Sequence, residues 1–131
     1  MIVLDTHVWV WWINGSPEVS VRAKRTIDKA RGERTIYLSS ISIWEVALLV
    51  ERNRLRLNMD VRDWIEKVET LPFLNFIPVD NKIALKSVYL PGPLHGDPAD
   101  RIIIATALMH DAVLVTRDEK IISYPHVRTL W

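Results

Sequence analysis

Short apolar runs alternate along this chain with longer stretches of mixed polarity. Ile2–Asp5, Thr35–Leu38, Phe73–Val79 and Ala112–Val115 read as strands buried between layers. Thr6–Ile13 is so dense in Val and Trp that its pattern fits strand or helix. Asn14 to Pro17 is a break, with Ser16 as helix cap and Pro17 at the first helical position. The polar helix that follows runs to about Arg31 and is closed by Gly32. Ser40 or Ser42 caps the next helix, which runs to about Arg52. Asp60–Leu71 forms another, ended by Pro72, and Asp80–Tyr89 a further one. Pro91 to Gly96 is loop by composition. Asp97-Pro98 opens a helix to about His110. That helix is apolar from Ile102 to Met109 except at Thr106, so it is buried on most sides. A short turn or helix and a terminal strand near Val127–Leu130 complete the chain.

Strands alternating with helices predict an α/β fold, with a mainly parallel sheet covered on both faces. No repeat, low-complexity tract or linker divides residues 1–131, so one domain is expected. The ordinary 49% hydrophobic and 25% charged content supports a soluble globular reading. No cysteine is present, which excludes disulfides, zinc–thiolate sites and cysteine nucleophiles. No run approaches a membrane span, and Asp5 interrupts the N-terminal apolar stretch, so the expectation is a cytoplasmic protein without a signal peptide. The net charge of +1 is no nucleic-acid footprint in itself. Two basic stretches stand out, Arg22 to Arg34 and Arg52 to Arg62. Acidic residues interleave both, which favours solvated faces.

The chemistry concentrates in acidic residues at element boundaries. Ligands of open α/β sheets bind beyond the carboxyl ends of strands. Asp5 ends the first strand and Asp118 lies just past the fourth, although each is also placed to cap a following helix. Glu45 shares a helical face with Ile41, Leu48 and Leu49, where a carboxylate needs compensation. Ser42-x-x-Glu45 also fits a capping box. Asp97 before Pro98 is an N-cap. Asp100 points with Ile103, Ile104 and Ala107 and is the better ligand. Carboxylates brought together repel one another unless protons or a divalent cation intervene.

Taken in order, Leu4-Asp5-Thr6-His7, Ser42-Ile43-Trp44-Glu45-Val46, Asp97-Pro98-Ala99-Asp100-Arg101 and Val115-Thr116-Arg117-Asp118 resemble a PIN domain. The resemblance is strongest to the VapC-type toxins of toxin–antitoxin pairs. It implies a three-layer α/β/α fold and a metal-dependent endoribonuclease that hydrolyses phosphodiester bonds to 5′-phosphate and 3′-hydroxyl ends. It also implies that Asp5, Glu45, Asp100 and Asp118 form the catalytic quartet. Mg²⁺, with Mn²⁺ substituting, is the expected cofactor, because both prefer oxygen ligands. Asp5 and Asp100 would hold the principal ion, with Glu45 and Asp118 completing the site or positioning water. Thr6, Asp97 and Thr116 are supporting residues. Arg101 and Arg117 are phosphate grips or balancing ion pairs, with the ion pair favoured for Arg117. His7 and His95 lie near the site without a partner at metal-ligand spacing. His110 and His126 are surface or helix-end residues.

The family further implies a homodimer, an RNA substrate and a cognate antitoxin. Six tryptophans are many for 131 residues. Trp9, Trp11 and Trp12 cannot all face one core, so part of that segment is an expected antitoxin anchor, and Trp44 is placed to join it. Two alternatives are weaker. A receiver-like Mg²⁺-binding signalling domain would need an acidic pair on the first strand. A catalytically silent PIN-like protein-binding domain would not need an intact quartet.

Overall fold

The structure is a computed structural model describing residues 1–131. Five strands form one parallel sheet: β1 (Ile2–Leu4), β2 (Ile36–Ser39), β3 (Leu74–Ile77), β4 (Val113–Val115) and β5 (Thr129–Leu130). Their spatial order is β3-β2-β1-β4-β5. Seven helices connect them: α1 (Thr6–Ile13), α2 (Val21–Glu33), α3 (Ile41–Glu51), α4 (Val61–Glu69), α5 (Asn81–Val88), α6 (Pro98–Met109) and α7 (Glu119–Ile122).

The three layers follow from the two-residue period of strands. In β1, Ile2 and Leu4 enter one core with Val8, Trp9, Ile27 and Trp64 from α1, α2 and α4. Val3, between them, faces the opposite core with Ile103, Ile104 and Ala107 of α6. In β4, Val115 faces the first core and Leu114 the second. Both faces of the sheet are therefore covered, as parallel strands require.

Local chemistry moves several boundaries. Thr6–Ile13 is helix, because Asp5 caps it and its Oδ1 accepts the Thr6 N–H. Ser16 is not the cap of the next helix and Pro17 is not in it. Val19 tucks into the core first, and Ser20 caps α2 by accepting the Ala23 N–H at 3.0 Å. Gly32 does not close α2, which continues to Glu33 and ends on a left-handed Arg34 (φ 57°). The Ser42–Glu45 capping box is also absent. Ser40 occupies the cap without a side-chain bond, while Ser42 lies inside α3, fully buried.

The sheet has one topological switch. From β1 the chain winds outward through β2 to β3, then returns to place β4 on the other side of β1. The carboxyl ends of β1 and β4 thus open beside each other, the position where open α/β sheets bind ligands.

Candidate active site

Asp5 follows β1 and is 8% exposed. Its backbone N–H donates to the Val115 carbonyl, tying the end of β1 to that of β4. Its Oδ2 accepts the Thr116 hydroxyl at 2.7 Å. The same Thr116 Oγ1 accepts the Asp118 backbone N–H at 3.1 Å. Thr116 is completely buried and links the two acids at the switch point. Asp118 caps α7 through the Lys120 N–H.

Thr6 connects Asp5 to Glu45. Its hydroxyl donates to Glu45 Oε1 at 2.6 Å and lies 2.9 Å from Ser42 Oγ. A hydroxyl has one proton to give, so with Thr6 donating to Glu45 the rotatable Ser42 hydroxyl serves as donor to Thr6. Ser42 is thus a support that sequence reasoning assigned to a helix cap.

Asp97 caps α6, its Oδ1 accepting the Asp100 N–H at 3.0 Å. In the first turn of α6, Asp100 Oδ2 lies 2.7 Å from His95 Nε2. His95 is the residue whose role the sequence concealed. It comes from the Pro91–Gly96 loop, and only the folded loop sets it on Asp100. His95, Asp100 and Asp118 each offer a ligand atom, all within 4.8 Å of one another. Asp5, expected to share the ion with Asp100, lines the same cavity.

Asp5, Glu45, Asp97, Asp100 and Asp118 all line one cavity of ≈ 340 Å³. Burial pushes the Glu45 carboxyl up to about 7, against the Thr6 hydrogen bond, and Asp5, Asp100 and Asp97 add repulsion. Burial likewise lifts Asp100 to about 6, opposed by His95 and reinforced by Asp5, Asp97 and Asp118. Asp5 is raised above the ordinary carboxylate range, again mainly by burial.

The nearby basic residues do not neutralise this charge. Arg117 lines the cavity but is ion-paired with Glu18 and lies over Trp11, 4.8 Å from the ring centroid. The Arg101 guanidinium faces the carbonyls of Ser87, Val88, Leu94 and His95. It holds the loop that carries His95, so it is neither a phosphate grip nor an ion pair. His7 is exposed at the cavity, while His110 and His126 are exposed elsewhere. No salt bridge reaches Asp5, Glu45, Asp97 or Asp118, and Asp100 has only His95. An oxygen-rich donor set with uncompensated negative charge fits Mg²⁺ or Mn²⁺.

The PIN domain profile matches residues 2–127. The chain belongs to the PIN domain family. Ribonuclease VapC22 of Mycobacterium tuberculosis is 33% identical over 132 residues, covering 99% of this chain and 98% of that protein. The crystal structure of FitAcB from Neisseria gonorrhoeae matches this PIN domain with TM-score 0.72 and 27% identity, covering 100% of this chain and 97% of that one. VapBC2 from Rickettsia felis, bound to a promoter DNA fragment, matches with TM-score 0.70 at 22% identity, covering 99% of this chain and 98% of that one. The last is a likeness of fold. The three-layer architecture expected from the sequence is the one this PIN domain adopts, and the receiver-like alternative falls away.

The tryptophans divide three ways. Trp9 is fully buried, so it is not the accessible part of the Trp9–Trp12 segment. Trp11 lines the acidic cavity, and Trp12 packs edge-on against Phe73 and donates to Asp28. Trp44 is 54% exposed and stands apart from that cluster.

Proposed function

We propose that this PIN domain is a metal-dependent endoribonuclease, the toxin of a toxin–antitoxin pair acting in the cytoplasm. The observation that carries the reading is the convergence of Asp5, Glu45, Asp100 and Asp118 in one cavity that lacks a neutralising cation from the chain itself. Similarity to Ribonuclease VapC22 over nearly the full length supports RNA as substrate.

Asp5, Asp100 and Asp118 would hold the ion, with His95 beside Asp100 and Glu45 lining the same cavity. A bound Mg²⁺ or Mn²⁺ supplies charge neutralisation and Lewis-acid activation for hydrolysis of a phosphodiester. Glu45, a carboxylate lining the same cavity, is suited to accept a proton from the attacking water. Thr6 pins its Oε1, so that the other oxygen is free to face substrate. Thr116 and the Thr6 N–H fix both Asp5 oxygens, and His95 fixes Asp100. Attack on phosphorus with departure of the 3′ oxygen leaves 5′-phosphate and 3′-hydroxyl ends.

An antitoxin segment is the partner in this reading. Its proposed seat is a groove of ≈ 810 Å³ between α3 and α4, lined by Leu48, Leu55, Leu57, Met59 and Ile65 among others. A homodimer is part of the same reading, tested by light scattering of the purified chain. No helix is long and apolar enough to cross a membrane.

The test is incubation with total cellular RNA and Mg²⁺ or Mn²⁺, with chelator and Asp5→Asn as controls. Cleavage that needs both the cation and Asp5 supports the reading. Intact RNA at high enzyme concentration, or cleavage in chelator, refutes it. A silent scaffold would give the first of those results.

A further inference from the structure

Trp44 precedes Glu45 on α3 and is 54% exposed, whereas the other five tryptophans are buried or half-buried. It forms no aromatic pair and no cation–π contact. A cleft of ≈ 200 Å³ runs beside it between α3 and the start of α6. Leu48 and Leu49 help line it, with Arg52 and Arg54. Asn53, in the left-handed region at φ 55°, turns the chain between those arginines, and the Arg54 N–H returns to the Leu49 carbonyl at 2.8 Å. Both arginines are exposed, and neither side chain takes part in an ion pair or hydrogen bond. The cleft is also lined by Glu45 and Asp97, which line the acidic cavity, so the two spaces adjoin at those residues.

We propose that Trp44, Arg52 and Arg54 form a subsite for an unpaired nucleotide of the RNA, beside the bond to be cut. The subsite rests on the ribonuclease reading and extends it from the chemistry to substrate selection. A wet indole face stacks a base of any identity, and the guanidiniums match phosphate oxygens in planar, bidentate geometry. Stacking of this kind requires a base out of its helix, so loops and single strands are selected over duplex. An apolar protein segment has the larger groove on the other side of Trp44. The narrow cleft sets two uncommitted positive charges next to the carboxylate site, which suits a polyanion whose backbone passes from one to the other.

Binding is read without cleavage in an Asp5→Asn background, by fluorescence anisotropy of a labelled mixed-sequence single-stranded RNA and of its duplex. Trp44→Ala should weaken the single strand roughly tenfold, within the usual range for one stacked base. Trp44→Phe should recover most of that loss, and duplex binding should not change. Arg52→Ala and Arg54→Ala should each reduce the salt slope of single-strand binding by about 0.7. The proposal is overturned if the Asp5→Asn parent binds no single strand, or if Trp44→Ala binds it as tightly as the parent. It is also overturned if single strand and duplex weaken alike without rescue by Phe, or if only antitoxin capture responds. Cleavage of total RNA by the wild type with Mn²⁺ reports separately on the ribonuclease reading.

Discussion

Glu45→Gln should make the cation-free protein more stable at pH 8 and change it little at pH 4. In the folded protein Glu45 titrates at about 7, against 4.5 for the unperturbed side chain. Between those values the folded state holds a proton that the unfolded state has released. Stability therefore falls as pH rises through that window, and the full penalty applies above pH 7. Asp100 acts with the same sign between 3.8 and about 6. For Glu45 the displacement corresponds to roughly 3 kcal/mol at about 1.4 kcal/mol per pH unit. Glu45 is half-buried, so solvent screening reduces this to about 1–2 kcal/mol. Gln keeps an oxygen to accept the Thr6 hydroxyl and removes the charge. At about 3–5 °C per kcal/mol for a chain of this size, Glu45→Gln should raise Tm by about 5 °C at pH 8 in chelator. Thermal melts of both proteins at pH 4, 6 and 8, with EDTA and with Mg²⁺, check this. Mg²⁺ should narrow the gap at pH 8, because the wild type has the repulsion to relieve. Equal Tm values in EDTA at pH 8, or a less stable variant there, would refute the argument that uncompensated carboxylate charge strains the metal-free fold.

Asp100→Asn should lower cation-dependent cleavage by about a hundredfold or more while the circular dichroism spectrum is retained. Asp97→Asn should cost less than about tenfold, since Asn is an equally good N-cap; equal losses in RNase assays would show that the pair is divided wrongly. Thr116→Val should destabilise by about 1–3 kcal/mol in urea titrations, because it strands the buried Asp5 oxygen and the Asp118 N–H. Thr116→Ser should recover most of that loss. Arg34→Gly should stabilise by about 1 kcal/mol, since Arg34 holds a left-handed helix end at φ 57° that glycine adopts without strain. A lower urea midpoint would contradict it.

What the sequence determined by itself is the sum of its local signals. Apolar runs such as Ile2–Leu4 and Val113–Val115 specify strands, because only strands bury alternate residues on opposite faces. Asp97-Pro98 specifies the start of α6, because capping acts within one turn. Acidic residues at element edges identified the candidate site, since Asp5 and Asp118 belong at the carboxyl end of a parallel sheet and Asp100 on an inward helical face. Where two local signals compete, tertiary packing decides. Val19 enters the core and hands the cap of α2 to Ser20, and Ser42 serves Thr6 rather than a capping box. Contacts between distant segments had no sequence signature at all. His95 reaches Asp100 only because Arg101 gathers the carbonyls of the preceding loop, and Thr116 joins Asp5 only because β4 lies beside β1. Exposure is decided the same way. Nothing local distinguishes Trp9 from Trp44, yet one lies under the sheet and the other faces water beside the carboxylates, because burial belongs to the assembled layers.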